Sequence, residues 1–435
     1  MRHFLDTSVI LIFIWLLTAC QVPTGPPRTG TPAPSEPART TRAVSPTPTE
    51  ARLQGTVSIW HSLDESRLPV LLRAIADFQE KYPDVQFDVF YVPPLDLQAS
   101  YVAASIEGRA PDILIAPGDW GPELYDQGWI ADLSSLAPAS LVNNLNSAAV
   151  GAGRYQGALI GLPLSIEGVV LYHNQRLIPI SPPTLDELVS LAKQATSGDV
   201  VGAYLDRSFF FSGAHLEGIG GHLMDEDGLP AFNDEYGLDW INLLRSFEFA
   251  GPTEFFGDQD VEYFKENRAG FIIESTKLRD SLREAIGSAN LVIDPWPIVE
   301  AGALSGYVQA ENIYLNPSVM EEDNRISWML VESLLSPQMQ SELAETGLIP
   351  AATPESFAAN QIVVTDDLIE QAMQALSGGT TYPVVPEMSV YPPSMDTALG
   401  SIFNDGIAPE QALQSAEEAI SAAIASQHSA TQVSP

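Results

Sequence analysis

From Thr56 onward the apolar residues of this chain switch repeatedly between a period of two and a period of about 3.6, which restricts the fold to strands and helices taken in turn. Thr56 to Trp60 is a short β-rich run. Ser66 to Glu80 then carries Leu68, Leu71, Leu72, Ile75 and Phe78 at helical spacing before Pro83 ends it. Val85, Phe87, Val89 and Tyr91 alternate along a second strand, and Asp112 to Ala116 reads as a buried strand closed by Pro117-Gly118. Such alternation predicts an α/β lobe around a mainly parallel sheet.

The same grammar recurs further on. Thr184 with Glu187 makes a capping-box pattern that opens a helix with Leu185, Leu188, Leu191 and Ala195 on one face. Gly270 to Ile273 predicts a strand, Leu278, Leu282 and Ile286 a helix, and Leu291 to Ile293 a strand closed by Asp294-Pro295. A second α/β lobe is therefore expected. The last third reads as mostly helical, with a stripe of Ile326, Met329, Leu330 and Leu334 and an Ala-rich amphipathic segment from Pro409 to Ala425.

The N-terminal region obeys different rules. Met1, Arg2 and His3 give a basic start, interrupted by Asp6, and Val9 to Leu17 is an apolar run too short to span a bilayer comfortably. Residues 1–19 read as a signal segment. Leu17-Thr18-Ala19-Cys20 sets small residues directly before the one cysteine of the chain, and this resembles the lipobox of bacterial lipoproteins, in which the cysteine thiol takes a lipid. Residues 20–55 are rich in Pro, Thr and Ser and hold almost no large apolar side chain, so they cannot offset their ordering entropy by burial and read as an extended tether. The expected location is outside the cytoplasm, anchored to the cell membrane by an N-terminal lipid.

A single cysteine permits no intramolecular disulfide, so the fold must rest on its core. The 435 residues, 45% of them hydrophobic, suffice for that. A formal net charge of -36 argues against nucleic acid or an anionic membrane surface as partner, since both need clustered Lys and Arg.

Five blocks resemble the extracellular solute-binding proteins of the family that includes maltose-binding protein. Gly55 to His61 looks like the first strand and its ligand-side turn, and Phe78 to Val85 like the following helix end. Ala110-Pro-Asp-Ile-Leu-Ile-Ala116, with Asp119 and Gly128 to Leu133, is similar to the family's PDI strand and the segment after it. Gly157 to Pro163, Glu167, Leu171-Tyr-His-Asn174 and Pro182 to Leu188 form the third block, Phe264 to Phe271 the fourth, and Leu334 to Pro350 the fifth. Together they extend over nearly all of Thr56 to about Ala425.

The resemblance implies a two-lobed periplasmic-binding-protein-like α/β fold whose hinge is crossed more than once. Residues 56–165 plus 305–350 would form one lobe, and 166–304 plus 351–430 the other. It also implies a monomer that captures a small solute, expected to be a carbohydrate, in the cleft and delivers it to the permease and ATPase subunits of an ABC importer. No Walker pattern occurs here, so ATP chemistry would belong to the partner and no cofactor is expected.

A neutral sugar needs paired hydrogen-bonding groups and aromatic planes. Family positions for such contacts fall on His61, Ser62 and Asp64, on Asp119 with Trp120 in place of the family's arginine, and on Glu167, Phe210 and Tyr391. His61, Ser62 and Asp64 could equally be a turn cluster that caps the next helix. Lys277 occupies the position of a stacking tryptophan, where it could meet an anionic ligand, bridge to Glu167, or pair with Glu274 on the surface. Asp119 and Glu167 could serve a hydrolase, but no motif marks an acid and a nucleophile, so a non-enzymatic role is expected. His215, Glu217 and His222 lack a metal-ligand spacing, and no metal is expected.

Overall fold

Helix Leu68–Lys81 buries Val70, Leu71, Ala74, Ile75 and Phe78, and in doing so it returns the chain so that strands Gly55–His61 (β1) and Val85–Tyr91 (β2) pair in parallel. Leu72, expected on the same stripe, is exposed: it lies on the side of the helix turned away from the sheet. The structure, a computed structural model, describes residues 53–321 and 325–431. The signal segment, Cys20 and nearly all of the tether lie outside those residues.

Eight further strands complete one sheet: Ile113–Pro117 (β3), Leu162–Asn174 (β4), Val201–Ala203 (β5), Ala269–Ser275 (β6), Leu291–Asp294 (β7), Tyr307–Leu315 (β8), Ile349–Pro350 (β9) and Thr380–Thr381 (β10). Its main order is β2-β1-β3-β8-β4-β6-β5, with β7 and β9 paired to β4 and β10 to β8. The outer pairs β1/β2, β1/β3 and β5/β6 are parallel, as the strand–helix alternation predicts. The centre is not. β8 runs antiparallel to β3 and β4, and β4 antiparallel to β6, β7 and β9, so the sheet is mixed rather than mainly parallel. β4 and β8 join the parallel outer pairs, and because each runs antiparallel to its neighbours in the main order the pattern of the edges does not extend through the centre.

Because side chains alternate across a strand, β4 and β8 show how the layers are arranged. On one face Leu162, Leu164, Ile166, Val170 and Tyr172 of β4, with Val308 and Ala310 of β8, belong to a single apolar core that runs the length of the sheet. On the opposite face that continuity fails. Leu114 and Ala116 of β3 and Tyr314 of β8 join one small core under helix Pro94–Ile106. Val169 and Leu171 of β4 and Tyr307 of β8 join another, built with helices Leu185–Ala195, Glu235–Ser246, Tyr391–Phe403 and Pro409–Thr431. Between these two blocks the same face carries Ser165, Glu167, Gln309 and Glu311.

The helices begin where their caps dictate. Thr184 Oγ1 accepts the Glu187 amide at 3.2 Å, the expected cap, and Leu185, Leu188 and Ala192 are buried beneath it. Helix Pro337–Glu345 is tied to the crossing strand by Gln340, which is fully buried. Its Nε2 donates to Leu164 O (3.0 Å) and Leu334 O (3.2 Å), and its Oε1 accepts the Ala352 amide (3.0 Å). Gln340→Leu keeps the volume and strands three buried polar groups, so urea unfolding followed by circular dichroism should show a loss of about 2–4 kcal/mol. A loss below about 1 kcal/mol would mean that water replaces these bonds.

Candidate ligand-binding cleft

The polar interruption of β4 and β8 lines two adjoining cavities. One, of about 60 Å³, is bounded by Asp119, Glu167, Gln309, Tyr382 and neighbouring backbone. The other, of about 180 Å³, is bounded by Arg67, Ser165, Glu167 and Glu311 among others. Glu167 borders both. It stands on β4 opposite Gln309 of β8, and its Oε1 is 2.6 Å from Lys277 Nζ.

Lys277 is held by a short turn. Ser275 Oγ accepts the Lys277 amide (3.2 Å), and Thr276 Oγ1 accepts the Gly168 amide (3.1 Å), which seats residues 275–277 on the crossing strand. Of the readings open for Lys277, the bridge to Glu167 is the one observed. With 65% and 37% of the two side chains exposed, solvent screens the pair, so it adds little to stability.

Asp119 lies on the one-turn helix Gly118–Trp120 that follows β3. One edge of its carboxyl meets water, while the cleft walls strip away part of its hydration and raise it above the ordinary carboxylate range. Glu311 is also raised, first by burial, while the nearby Arg67 guanidinium 3.6 Å away pulls it back. The cleft thus holds Asp119, Glu167 and Glu311 against two cations, each already beside a carboxylate.

The aromatic wall differs from expectation. Phe209 is buried core, whereas Phe210 is half-buried, 5.2 Å from the Phe211 ring and 5.9 Å from the Tyr382 ring. Tyr382, which sequence reasoning missed, lines the cavity beside Asp119 and Glu167. Tyr391 does not face the cleft: it is fully buried in the second lobe, with its hydroxyl donating to Gly228 O at 2.8 Å. It opens a helix whose first turn points inward, and the aromatic closest to its intended role lies nine positions earlier. Only its place just ahead of Pro383 and Pro386 could have marked Tyr382 in the sequence.

His61 and Asp64 are built into the turn after β1. His61 is buried, its Nδ1 accepts the Leu63 amide at 3.1 Å, and burial lowers its pKa. Asp64 Oδ1 accepts the Ser66 amide (2.9 Å), the Ser66 hydroxyl (2.6 Å) and the Arg67 amide (3.2 Å), which makes it the cap of this turn. Ser62 is half-buried between them, and Trp120 is half-buried beside the small core of the first lobe.

A family profile described as "Bacterial extracellular solute-binding protein" matches residues 73–370. The chain belongs to that family. Among its relatives, the maltotriose-binding protein of Pyrococcus abyssi is 24% identical over 366 residues, which is 81% of this chain and 78% of the relative. The galactooligosaccharide-binding protein of Bacillus subtilis is 23% identical over 390 residues, 85% of this chain and 90% of that one. Solved structures share the two-lobed fold. An extracellular solute-binding protein from Staphylococcus aureus in complex with maltose superposes with a TM-score of 0.76 at 18% identity, over 86% of this chain and 98% of the other. A cyclo/maltodextrin-binding protein complexed with maltotetraose gives 0.74 at 22% identity, over 85% and 97%.

The histidines weighed as metal ligands have separate surroundings. His215 is buried, its Nδ1 2.6 Å from Ser305 O, and burial pushes its pKa down to about 4. His222 is exposed and pairs with Glu217 at 3.1 Å. Among the described residues no three His, Cys, Asp or Glu side chains are placed to hold a metal ion.

Proposed function

We propose that this protein is the substrate-binding component of an ABC importer and captures a neutral oligosaccharide in the cleft around Glu167. The observation that carries this reading is the polar gap between two apolar blocks, where Asp119, Glu167, Gln309 and Tyr382 converge from both lobes. Carboxylate and amide groups beside an aromatic ring match the hydroxyls and C-H faces of a sugar. The names of the relatives, which bind maltotriose and galactooligosaccharides, support the same class. Lys277 could meet an anionic ligand, but its charge is engaged by Glu167, Arg67 already faces Glu311, and the carboxyls of the cleft outnumber its bases, which favours a neutral ligand.

In this proposal residues 56–165 plus 305–350 form one lobe and 166–304 plus 351–430 the other, and closure is a hinge motion along β4 and β8. The protein acts as a monomer, releases its ligand chemically unchanged, and is tethered outside the cytoplasm by a lipid on Cys20. If so, Cys20→Ser releases it from the membrane fraction; a variant that still sediments with membranes contradicts the anchor.

Calorimetry with maltotriose tests the cleft. Glu167→Ala removes a charge-assisted hydroxyl acceptor and should cost about 1.5–3 kcal/mol of binding, roughly ten- to a hundredfold in affinity. Tyr382→Ala should weaken binding as well, while Tyr391→Phe, in the core, should not. Lys277→Trp should preserve or strengthen binding. Tight binding that survives both Glu167→Ala and Tyr382→Ala would place the site elsewhere, and salt-sensitive binding of sugar acids lost in Lys277→Trp would replace the neutral reading by an anionic one.

A further inference from the structure

Behind the cleft, the second lobe buries four carboxyl groups together. Asp206 and Glu254 are register partners on the paired two-residue strands Leu205–Asp206 and Thr253–Glu254. Glu274 is the last residue but one of β6, and Asp260 lies on helix Gln259–Lys265, which packs on β6. Relative exposures are 1% for Asp206, 8% for Glu254, 5% for Glu274 and 0% for Asp260. Four charges here would need partners, because an unpaired carboxylate out of water costs several kcal/mol or more.

Partners are unevenly supplied. Glu254 accepts the Phe255 and Gln259 amides at 2.9 and 3.1 Å, Asp206 the Ser208 amide at 2.6 Å and Glu274 the Ser275 amide at 2.8 Å. Neither oxygen of Asp260 meets a well-formed hydrogen bond, the adjacent Val261 amide giving only lesser electrostatic relief. The strongest charges acting on Asp260 and Glu274 are acidic, Asp258 included. Asp396, from helix Tyr391–Phe403, adds to the repulsion on Asp206. The nearby bases are turned away: Arg207 pairs with Glu248 at 2.7 Å and lies over the Phe403 ring, and Arg279 binds Asp280 and Gly347 O. The neutral neighbours are Tyr204, whose hydroxyl donates to Gln259, and Tyr172, whose hydroxyl donates to Ser275 O.

We infer that this cluster is a proton-holding positioning element beside the cleft, in which protons held on Asp206, Asp260 and Glu274 keep two turns, those ahead of Phe209 and of Thr276, in place. Asp206 holds the amide that leads into Phe209 to Phe211, and Glu274 holds the amide that leads into Thr276 and Lys277. No three of these side chains converge on a metal position, which favours protons over a cation. Desolvation first, then mutual repulsion, pushes Asp260 up to about 8, Glu274 to about 7 and Asp206 to about 6.

The sign follows from linkage. The unfolded chain loses these protons near pH 4, the folded protein only between about 6 and 8, so their contribution to stability falls as pH rises from about 4 to about 8 and is level above that. The inference rests on the proposed cleft only for the role of the two turns, and its readouts need no ligand.

The test compares the natural protein with Asp260→Asn and Glu274→Gln by thermal unfolding from pH 5 to pH 9, and by hydrogen exchange of segments 205–211 and 274–278. The natural protein should lose several degrees in Tm between pH 5 and pH 8.5 and lose protection in both segments. Asp260→Asn should be more stable at pH 8.5, with a flatter profile and retained protection, and Glu274→Gln should shift the same way. Identical pH slopes in all three proteins would overturn the inference. So would a rise in Tm on adding millimolar CaCl2 at pH 8.5 that EDTA reverses and Asp260→Asn abolishes, because the cluster would then be a cation site.

Discussion

Pairing of the two long strands Leu162–Asn174 and Tyr307–Leu315 is the constraint on which the rest depends. Both are central and largely buried on two sides, and the second sends Tyr307 and Tyr314 into the two separate cores that flank the polar gap. On one face they are apolar throughout, so the core there is continuous and holds the lobes to one sheet. On the other face Ser165, Glu167, Gln309 and Glu311 interrupt the apolar pattern. Groups of this kind cannot be sealed inside a core without partners, so the layers of the two lobes must stop short of each other and admit water. The cleft is what the polar interruption leaves.

Its electrostatics set what can enter. Glu311 is nearly buried and leans on Arg67, Glu167 leans on Lys277, and Asp119 has no cation beside it. Because the Glu167–Lys277 pair is largely solvated, separating it costs little, and a hydroxyl can take the remaining lone pairs of Glu167 or displace the ammonium. Among the described residues the two bases facing this space, Arg67 and Lys277, each already meet a carboxylate, so an anion entering it would meet net negative charge. The same economy of bases appears deeper in the second lobe, where the clustered carboxyls have protons rather than Lys or Arg as counterparts.

Much of the outer architecture was legible in the sequence. The first two strands, the Thr184 cap and the strand at Ile113–Pro117 all follow from period and punctuation, because each has one buried and one exposed side or a clear stop. The two crossing strands were not read as strands from pattern. Leu-Pro-Leu-Ser-Ile-Glu-Gly-Val-Val-Leu-Tyr-His-Asn changes at Gly168 from a stretch with Pro, Ser and Glu at every second place to one buried on both faces, where the strand passes from the cleft into the second core, and neither template fits both parts. Of the positions expected at the site, Glu167 in mid-strand and Asp119 just after a strand line one cavity. Tyr391 and Tyr382 show the limit: eight residues of Pro-rich chain, including the short helical turn Pro386–Val390, separate them, and only the direction of the first helical turn decides which ring faces inward.

The central claim is that a neutral oligosaccharide is gripped by both lobes across the polar gap. Small-angle X-ray scattering of the folded body, with maltotriose at a concentration that calorimetry shows to be saturating, measures this directly. The account predicts a smaller radius of gyration with ligand than without, and no such change in Glu167→Ala at the same concentration. An unchanged radius in the natural protein at proven saturation would mean that one lobe alone holds the ligand, and would contradict the account.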